Sequence, residues 1–538
     1  MRTSLPRTLR QLSRNATRLN VSRCRASGAR WSSTGSEDEG HKWSTPLAKQ
    51  LTEAITTTGP IPVASYMRQC LTSDLGGYYT ATAPSETDQF GARGDFVTSP
   101  EISQIFGELI GLWVVAEWIA QGRRSAGVYL MEMGPGRGTL MDDMLRTIRN
   151  FPPLAKAIEA VYLVEASRNL RLAQHKLLCG GNPLSENGTG HESTSRYSKD
   201  LKIIWTEDIR FVPREASKTP FIIAHEFFDA LPIHVFQSVP PAPPPSQKQQ
   251  QDTIQTPTGP IPSPRRIPKT NEWRELVVSP KPPHRLKTDE PEFELTMAKA
   301  ATPHSMYLPE ISPRYQALKS TDGATIEISP ESQAYTLDFA IRIGGSNPAP
   351  LTQPEPPRTA TSAPLRPVAP ARKTQPFPKP RPSGAALIID YGPPSTIPAN
   401  SLRGIKAHSR VSPFLSPGTT DVSADVDFLA LAEAAVNGSP GVEVHGPVSQ
   451  GRFLGAMGIR ERAGQLVERA KEVGMGGKGG EGLGEVVERV ESGWRRLVDL
   501  GPQGMGGLYQ VMAFVPFRPV EEGEVRRRPV GFGGDVRV

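Results

Sequence analysis

A glycine-rich turn is the part of the chain best suited to hold a ligand. Gly134, Gly136 and Gly138 follow an apolar run that ends near Glu132, and a helical pattern comes next. Glycine lets the backbone approach a ligand closely, and a helix start offers free N–H groups. The dinucleotide pattern G-x-G-x-x-G needs a third glycine where Thr139 stands. The spacing G-x-G-x-G, with an acid two residues before it, therefore argues against a nicotinamide cofactor.

A second candidate site lies where another apolar run ends. The segment His-Glu-Phe-Phe-Asp places the carboxyl groups of Glu226 and Asp229 beside Phe227 and Phe228. Paired carboxylates grip a guanidinium through charged hydrogen bonds, and aromatic faces tolerate its planar cation. The segment therefore predicts a guanidinium site. The structural alternative is that Asp229 caps a following helix and both phenylalanines belong to the core.

Five short apolar runs predict the strands that position these groups. They are residues 127–131, 160–164, 202–205, 221–224 and 385–389. Each ends in a polar residue, and several are separated by helical patterns, which is typical of βαβ units and a largely parallel sheet. An acid at the end of the second strand, here Glu165, can accept ribose hydroxyls.

The regions around these strands differ in composition. Residues 45–80 predict a helix and a turn, and Thr98 with Glu101 predicts the start of a helix that continues through Trp113. Three stretches are rich in Pro, Gln or Gly: 240–268, 347–382 and 474–484. They cannot bury enough apolar surface to fold, so we expect surface loops there.

The positive charge of the chain is confined to its first 35 residues. The sequence has 62 basic and 55 acidic residues, but this segment holds eight arginines, no lysine and no acid. An Arg-rich, acid-free N-terminus is typical of a mitochondrial transit peptide, and a basic tail is the alternative. Because the rest is nearly neutral, we expect no nucleic-acid partner. No apolar run approaches about 18 residues, so we expect no membrane span.

These features predict the organisation of the chain. It comprises a transit peptide over 1–35, an N-terminal helical region over 45–126, a ligand-binding core over 127–239, an insertion with Pro-rich loops over 240–384, the C-terminal half of the main domain over 385–515, and a tail over 516–538. The three cysteines form no C-x-x-C pair, and no other ligand cluster is visible, so we expect no metal.

The glycine turn with its preceding acid resembles motif I of the Rossmann-like methyltransferases. Longer segments resemble the MidA family, mitochondrial protein arginine methyltransferases that act as complex I assembly factors. These segments are 94–109, 132–140, 164–165, 224–232, 273–275, 387–392, 402–404, His408, 417–421 and 424–428. The resemblance extends over about residues 45 to 515.

The resemblance implies an α/β, Rossmann-like class I methyltransferase fold. The fold has a mostly parallel seven-stranded sheet, an N-terminal helical segment and a large insertion after the fourth strand. S-adenosyl-L-methionine is the implied cofactor. The residues implied to bind it are Asp95, Phe96, Thr98, Glu132, Gly134, Gly136, Gly138, Glu165 and Asp208.

The resemblance also implies symmetric dimethylation of an arginine in a core peripheral-arm subunit of NADH:ubiquinone oxidoreductase, in the mitochondrial matrix, for complex I assembly. Glu226 and Asp229 are expected to orient the guanidinium. His408 is a third candidate catalytic residue, and Asp421 and Asp427 are further candidates on the substrate side. Three alternatives stay open: a non-catalytic assembly chaperone with this fold, a nicotinamide-dependent oxidoreductase, and methylation of a small molecule.

Overall fold

The computed structural model describes residues 43–80, 97–241, 253–256, 259–262, 270–286, 290–346, 376–473, 482–520 and 526–533. The predicted transit segment, Asp95, Phe96 and most of the three low-complexity stretches lie outside the described residues. Within the described ranges, no helix combines the length and apolar character that crossing a membrane requires.

Helices and strands alternate through most of the described chain. The helices are α1 (Pro46–Thr58), α2 (Val63–Thr72), α3 (Ser99–Ile102), α4 (Gln104–Ala120), α5 (Thr139–Ile148), α6 (Pro152–Ala157), α7 (Arg168–Cys179), α8 (Pro303–Tyr307), α9 (Pro313–Leu318), α10 (Pro330–Gly344), α11 (Phe428–Gly438), α12 (Gln450–Ala456), α13 (Ile459–Val473) and α14 (Leu483–Val498). The strands are β1 (Ile61–Pro62), β2 (Val128–Met133), β3 (Ile158–Val164), β4 (Ser185–Asn187), β5 (Gly190–Thr194), β6 (Lys202–Thr206), β7 (Thr219–His225), β8 (His234–Val239), β9 (Thr253–Thr256), β10 (Gly259–Pro262), β11 (Glu272–Pro280), β12 (Phe293–Met297), β13 (Thr325–Ile328), β14 (Ala385–Tyr391), β15 (Arg403–Lys406), β16 (Ser409–Val411), β17 (Asp421–Ser423), β18 (Val442–Ser449) and β19 (Tyr509–Pro516).

The main sheet has nine strands in the order β18-β19-β14-β7-β2-β3-β6-β5-β4. Its five central strands, β14, β7, β2, β3 and β6, are parallel, and the flanking strands join through antiparallel pairs. The predicted Rossmann-like α/β fold is confirmed, including all five predicted strands. The hairpin of β4 and β5, which enlarges the sheet beyond seven strands, was not predicted, although Gly188 at the first position of its two-residue turn is a hairpin signal.

Strand β2 shows why the sheet is covered on both faces. Val128 and Leu130 belong to the core that includes α4 and α5. Tyr129, Met131 and Met133 belong to the core that includes α10 and α11. Because alternate residues of a strand point to opposite faces, a continuous apolar run buries both faces.

The N-terminal segment forms two helices where the sequence predicted one helix and a turn. Gly59 has a φ of 94° and ends α1, and Pro60 lacks the N–H group that a continuing helix needs. The second helix, α2, buries Tyr66 and Met67 in a core shared with Phe293. This N-terminal part is therefore packed against the insertion that follows β7.

The helix predicted from Thr98 is also divided in two. The Glu101 carboxylate accepts the Thr98 N–H at 3.3 Å, as the capping pattern predicts. Helix α3 nevertheless ends at Ile102, because the Ser103 side chain accepts the Ile105 N–H at 3.3 Å and starts α4. The break leaves the short α3 beside the glycine turn.

A second, antiparallel sheet is built mainly from strands between β7 and β14. Its strand order is β1-β11-β8-β13, with β12 paired to β11, so the N-terminal strand β1 also joins it. The sequence predicted an insertion with Pro-rich loops here, and this sheet was not predicted. Phe236 and Ile326 are fully buried within it, so the insertion has an apolar core of its own.

Arg342 on α10 fixes the loop that follows β6. Its guanidinium donates to the backbone oxygens of Ile209 and Val212 at 3.0 Å and of Pro213 at 2.9 Å. Only 3% of the residue is exposed. Three loop carbonyls therefore share one buried cation.

We predict that Arg342→Met lowers the free energy of unfolding by about 3 kcal/mol, because the three carbonyls lose a buried charged donor. Urea denaturation followed by circular dichroism measures this change. Arg210→Met is the matched control, since Arg210 pairs with Asp208 but its side chain is 75% exposed. Equal stability of the two variants would contradict the role assigned to Arg342.

Candidate active site

Four glutamates lie where neighbouring parallel strands of the main sheet end. Glu132 is near the end of β2, Glu165 follows β3, Glu207 follows β6 and Glu226 follows β7. Because parallel strands end at the same side of a sheet, these four residues line one pocket of about 310 Å³. The rest of the lining includes Arg68, Tyr79, Thr98, Gly134, Gly136, Phe227 and Tyr335.

The glycine turn forms one wall of this pocket. Gly134, Gly136 and Gly138 have φ values of 57°, 54° and 83°, in the left-handed region that favours glycine. The Gly134 N–H donates to the Val164 oxygen at 3.0 Å and joins the turn to β3. A Cβ at position 134 would lie 3.1 Å from the Phe227 ring. A side chain at position 134 would therefore press on the Phe227 ring.

Gln174 on α7 holds the turn in place from behind. Its Nε2 donates to the Gly136 oxygen at 2.6 Å and to Glu165 Oε2 at 3.2 Å. Its Oε1 accepts the Trp205 indole N–H at 3.0 Å. The residue is fully buried. Gln174 was not among the predicted site residues, because a single glutamine next to His175 and Lys176 gives no signal of burial.

Glu132 and Glu165 are buried carboxyl groups at the end of the pocket beside the turn. Burial, and then repulsion by Glu165, raise the pKa of Glu132 well above its usual value. Burial raises the pKa of Glu165 to about 7, although the Ser167 N–H donates to it at 2.8 Å. Among the described residues, no donor bonds Glu132 Oε2. A ligand that brings hydrogen-bond donors would satisfy this oxygen.

Glu226 at the end of β7 is held in a strained conformation. Its φ is 50°, and its carboxylate contacts the Ser99 N–H and the Tyr509 hydroxyl. Its Oε1 lies 3.3 Å from His225 Nε2 and accepts no hydrogen bond from the described residues. Burial, and then repulsion by Asp229, raise the pKa of Glu226 to about 8. Burial lowers the pKa of His225 to about 3, so the imidazole is neutral.

Asp390, at the end of β14, organises the loop that follows β7. Its Oδ2 accepts the N–H groups of Phe227 at 3.1 Å and of Phe228 at 2.8 Å. Burial, and then repulsion by Asp229, raise the pKa of Asp390. Burial also raises the pKa of Asp229 to about 6, against the opposing effect of Arg403. The carboxyl groups of Glu226, Asp229 and Asp390 thus cluster on this side of the pocket.

Asp390 and Tyr509 were not among the predicted site residues. The signal for Asp390 was present in the sequence, since an acid ends the buried run Ala-Ala-Leu-Ile-Ile. The signal for Tyr509 was absent, because it begins the antiparallel strand β19, and its position beside β14 follows only from the strand order.

The structure brings most of the predicted cofactor residues together. Those that line the pocket are Thr98, Glu132, Gly134, Gly136 and Glu165. Gly138 lies behind the lining, where a Cβ would be 3.3 Å from Gln174 Cγ. Asp208 caps the short turn after β6 and pairs with Arg210 at 2.7 Å, and its neighbour Glu207 lines the pocket instead.

The predicted catalytic and substrate-side residues are more dispersed. Glu226 lines the pocket, and Asp229 lies behind it near Arg403. Asp421 accepts the hydroxyl of Tyr79, a lining residue, at 3.1 Å. His408 and Asp427 are not brought to the pocket.

His408 and Asp427 both lie away from the pocket lining. His408 stands on the exposed turn between β15 and β16. The Asp427 side chain accepts the Ala430 N–H at 3.1 Å at the start of α11 and binds Arg314 at 3.0 Å.

Comparison with known proteins identifies the family. Residues 109–448 match the family described as putative S-adenosyl-L-methionine-dependent methyltransferases. The chain belongs to this family. The resemblance to the MidA family is thereby confirmed, and S-adenosyl-L-methionine is the cofactor.

Similar curated proteins carry a more specific name. Relatives from Bos taurus, Xenopus laevis and Homo sapiens, each called "Protein arginine methyltransferase NDUFAF7, mitochondrial", are 41%, 44% and 43% identical over 211, 203 and 199 residues. The matches cover 39%, 36% and 36% of this chain and 46%, 43% and 43% of those proteins. The chain thus matches less than half the length of these relatives.

Solved structures share the fold. A likely methyltransferase of the COG1565 superfamily from Burkholderia thailandensis, bound to S-adenosyl-homocysteine, is similar with a TM-score of 0.56 and 20% identity. The match covers 88% of this chain and 92% of that one. A native structure from the same superfamily and organism gives a TM-score of 0.54 over the same shares.

The pocket fits the cofactor of the family. S-adenosyl-L-methionine carries an ammonium group and ribose hydroxyls that need acceptors, and the pocket offers the unpaired oxygen of Glu132 and the carboxylate of Glu165. Gly134 and Gly136 contribute backbone without a side chain to the wall of this pocket.

We predict that Gly134→Val weakens binding of S-adenosyl-L-methionine at least about 100-fold, because the new side chain presses on the Phe227 ring in the pocket wall and strains the backbone. Calorimetric titration measures the affinity. Gly180→Val is the matched control: Gly180 has a similar φ of 63°, but a Cβ there meets no atom within 4 Å. Unchanged affinity in Gly134→Val would exclude this turn as the binding site.

Proposed function

We propose that this chain is a protein arginine methyltransferase that uses S-adenosyl-L-methionine. The observation that carries the proposal is the buried carboxyl group of Glu226, whose Oε1 accepts no hydrogen bond from the described residues. Asp229 and Asp390 lie close behind it. A guanidinium cation would supply hydrogen-bond donors and a positive charge to Glu226, whereas Arg403 acts on Asp229. The name of the curated relatives supports the same acceptor.

One end of the pocket would bind the cofactor, and the other end would bind the acceptor. The bound cofactor supplies an electrophilic methyl group on its sulfonium. Glu165 would accept the ribose hydroxyls, and the unpaired oxygen of Glu132 would accept the ammonium group. Phe227 lines the pocket next to Glu226, and its ring lies beside Gly134 of the glycine turn. Its ring would therefore set the separation between donor and acceptor.

At the acceptor end, the protein would align the guanidinium for in-line attack on the methyl carbon. Glu226 and Asp229 would orient the group and concentrate lone-pair density on one nitrogen. The strained backbone of Glu226 and the two N–H groups bound by Asp390 hold this loop before substrate arrives. No carboxylate needs to remove a proton before the transition state.

The proposed substrate is a core subunit of the peripheral arm of NADH:ubiquinone oxidoreductase, and the proposed product is symmetric dimethylarginine. The proposed location is the mitochondrial matrix. The arginine-rich, acid-free first 35 residues and the word "mitochondrial" in the names of the relatives support this location. Complex I assembly would then depend on the modification.

We predict that Glu226→Gln and Asp229→Asn each lower kcat/KM for arginine methylation at least about 100-fold, since each removes a charged partner of the guanidinium. Transfer of radiolabelled methyl groups to the recombinant peripheral-arm subunit measures the rate. Glu159→Gln is the control, because Glu159 lies at the opposite ends of the strands, where it contacts Lys218 and the Gly127 N–H.

Two results would overturn the proposal. Full methylation by both the Glu226→Gln and Asp229→Asn variants would exclude these carboxylates. A wild-type protein that binds the cofactor and the subunit but methylates no arginine would favour a non-catalytic assembly chaperone.

We also predict that kcat/KM rises with pH up to about 8 and then levels off. Below the raised pKa of Glu226 the carboxyl group is protonated in the free enzyme and cannot pair with a guanidinium. Each pH unit below this pKa lowers kcat/KM about tenfold. Arginine stays protonated throughout, so the substrate contributes no titration. Initial rates at subsaturating substrate from pH 6 to 9.5 test this, and the same pH slope in Glu226→Gln would contradict the assignment.

A further inference from the structure

Three potential metal ligands meet in the second sheet, outside the methyltransferase pocket. His234 begins β8, Glu275 lies on the paired strand β11, and His304 stands in the first turn of α8. Their ligand atoms all lie within 4.8 Å of one another. No sequence pattern indicates this group, since His234 and Glu275 are 41 residues apart and meet only through strand pairing.

The three residues are close enough for one ion to replace the hydrogen bond between His234 and Glu275. His234 Nδ1 lies 2.7 Å from Glu275 Oε1, and His304 Nδ1 lies 3.7 Å from Glu275 Oε2. Two atoms bound to one tetrahedral zinc ion are roughly 3.3 Å apart, given bond lengths near 2.0 Å. The two observed distances lie on either side of this value.

The contacts of His304 distinguish this arrangement from a hydrogen-bonded triad. Glu275 is buried and already takes hydrogen bonds from His234 and from the Thr302 hydroxyl. His304 lies too far from the carboxylate for a hydrogen bond, and its ring centroid is 4.2 Å from that of His234. Two imidazoles facing one carboxylate at this separation form a common donor set for a cation.

We propose that His234, Glu275 and His304 bind one zinc ion. The side chain of His304 is 47% exposed, so the fourth position faces solvent and would hold a water molecule. The ion would join β8, β11 and α8 within the insertion. Because β8 begins two residues after Pro232, which lines the methyltransferase pocket, zinc would also stabilise one wall of that pocket.

Zinc titration of the full chain after dialysis against EDTA tests the proposal. We expect one equivalent to bind with submicromolar affinity and to raise the Tm. Cobalt substitution should give the visible absorption bands of a four-coordinate site. His304→Ala changes an exposed residue, and Glu275→Gln preserves the shape of a buried one. Each should weaken zinc binding at least about 100-fold, because two ligands remain.

His284→Ala is the matched control, since it removes another exposed histidine of the insertion that lies outside the group. It should keep full zinc affinity. Absence of zinc binding by the wild type, or equal binding by wild type and His304→Ala, would overturn the proposal. Each readout is independent of methyl transfer, so the result does not depend on the function proposed above.

Discussion

Buried carboxyl groups crowd together where the parallel strands of the main sheet end, and this concentration of like charge governs the rest of the site. Burial raises the pKa values of Glu132, Glu165, Glu226 and Asp390, and repulsion by a neighbouring carboxyl group adds to this effect at Glu132, Glu226 and Asp390. Ionising them without a counter-charge is unfavourable. A cationic ligand reverses this balance, because each carboxylate that ionises gains a partner. Ligand binding and proton release are therefore linked at both ends of the pocket.

Such a cluster persists only if its backbone is held firmly, and two buried side chains do this. Gln174 joins the glycine turn, Glu165 and the indole of Trp205. Asp390 takes two N–H groups of the loop after β7. Both lie behind the lining and fix the residues in front of them. The pocket is thus shaped before a ligand enters, so little binding energy is lost in ordering it.

The parts of the molecule that follow from local pattern were predictable. The apolar runs predicted the five central strands, and the glycine spacing predicted a turn whose Gly134 and Gly136 line the pocket. The residues that depend on tertiary contacts were not predictable. Tyr509 reaches Glu226 only because β19 folds back beside β14. The second sheet was not predicted, because this region is rich in proline and its strands pair across long separations in the chain. The helix break at Ser103 between α3 and α4 was not predicted either, because the apolar spacing continues across it.

The contact between Gly134 and Phe227 has a consequence for how this protein can change. The glycine turn and the loop that follows β7 touch where Gly134 has no side chain and the Phe227 ring would lie 3.1 Å from a Cβ. A larger residue at 134 would press on this ring, and a smaller residue at 227 would relieve that contact. Substitutions at these two positions are therefore expected to compensate for each other rather than to add.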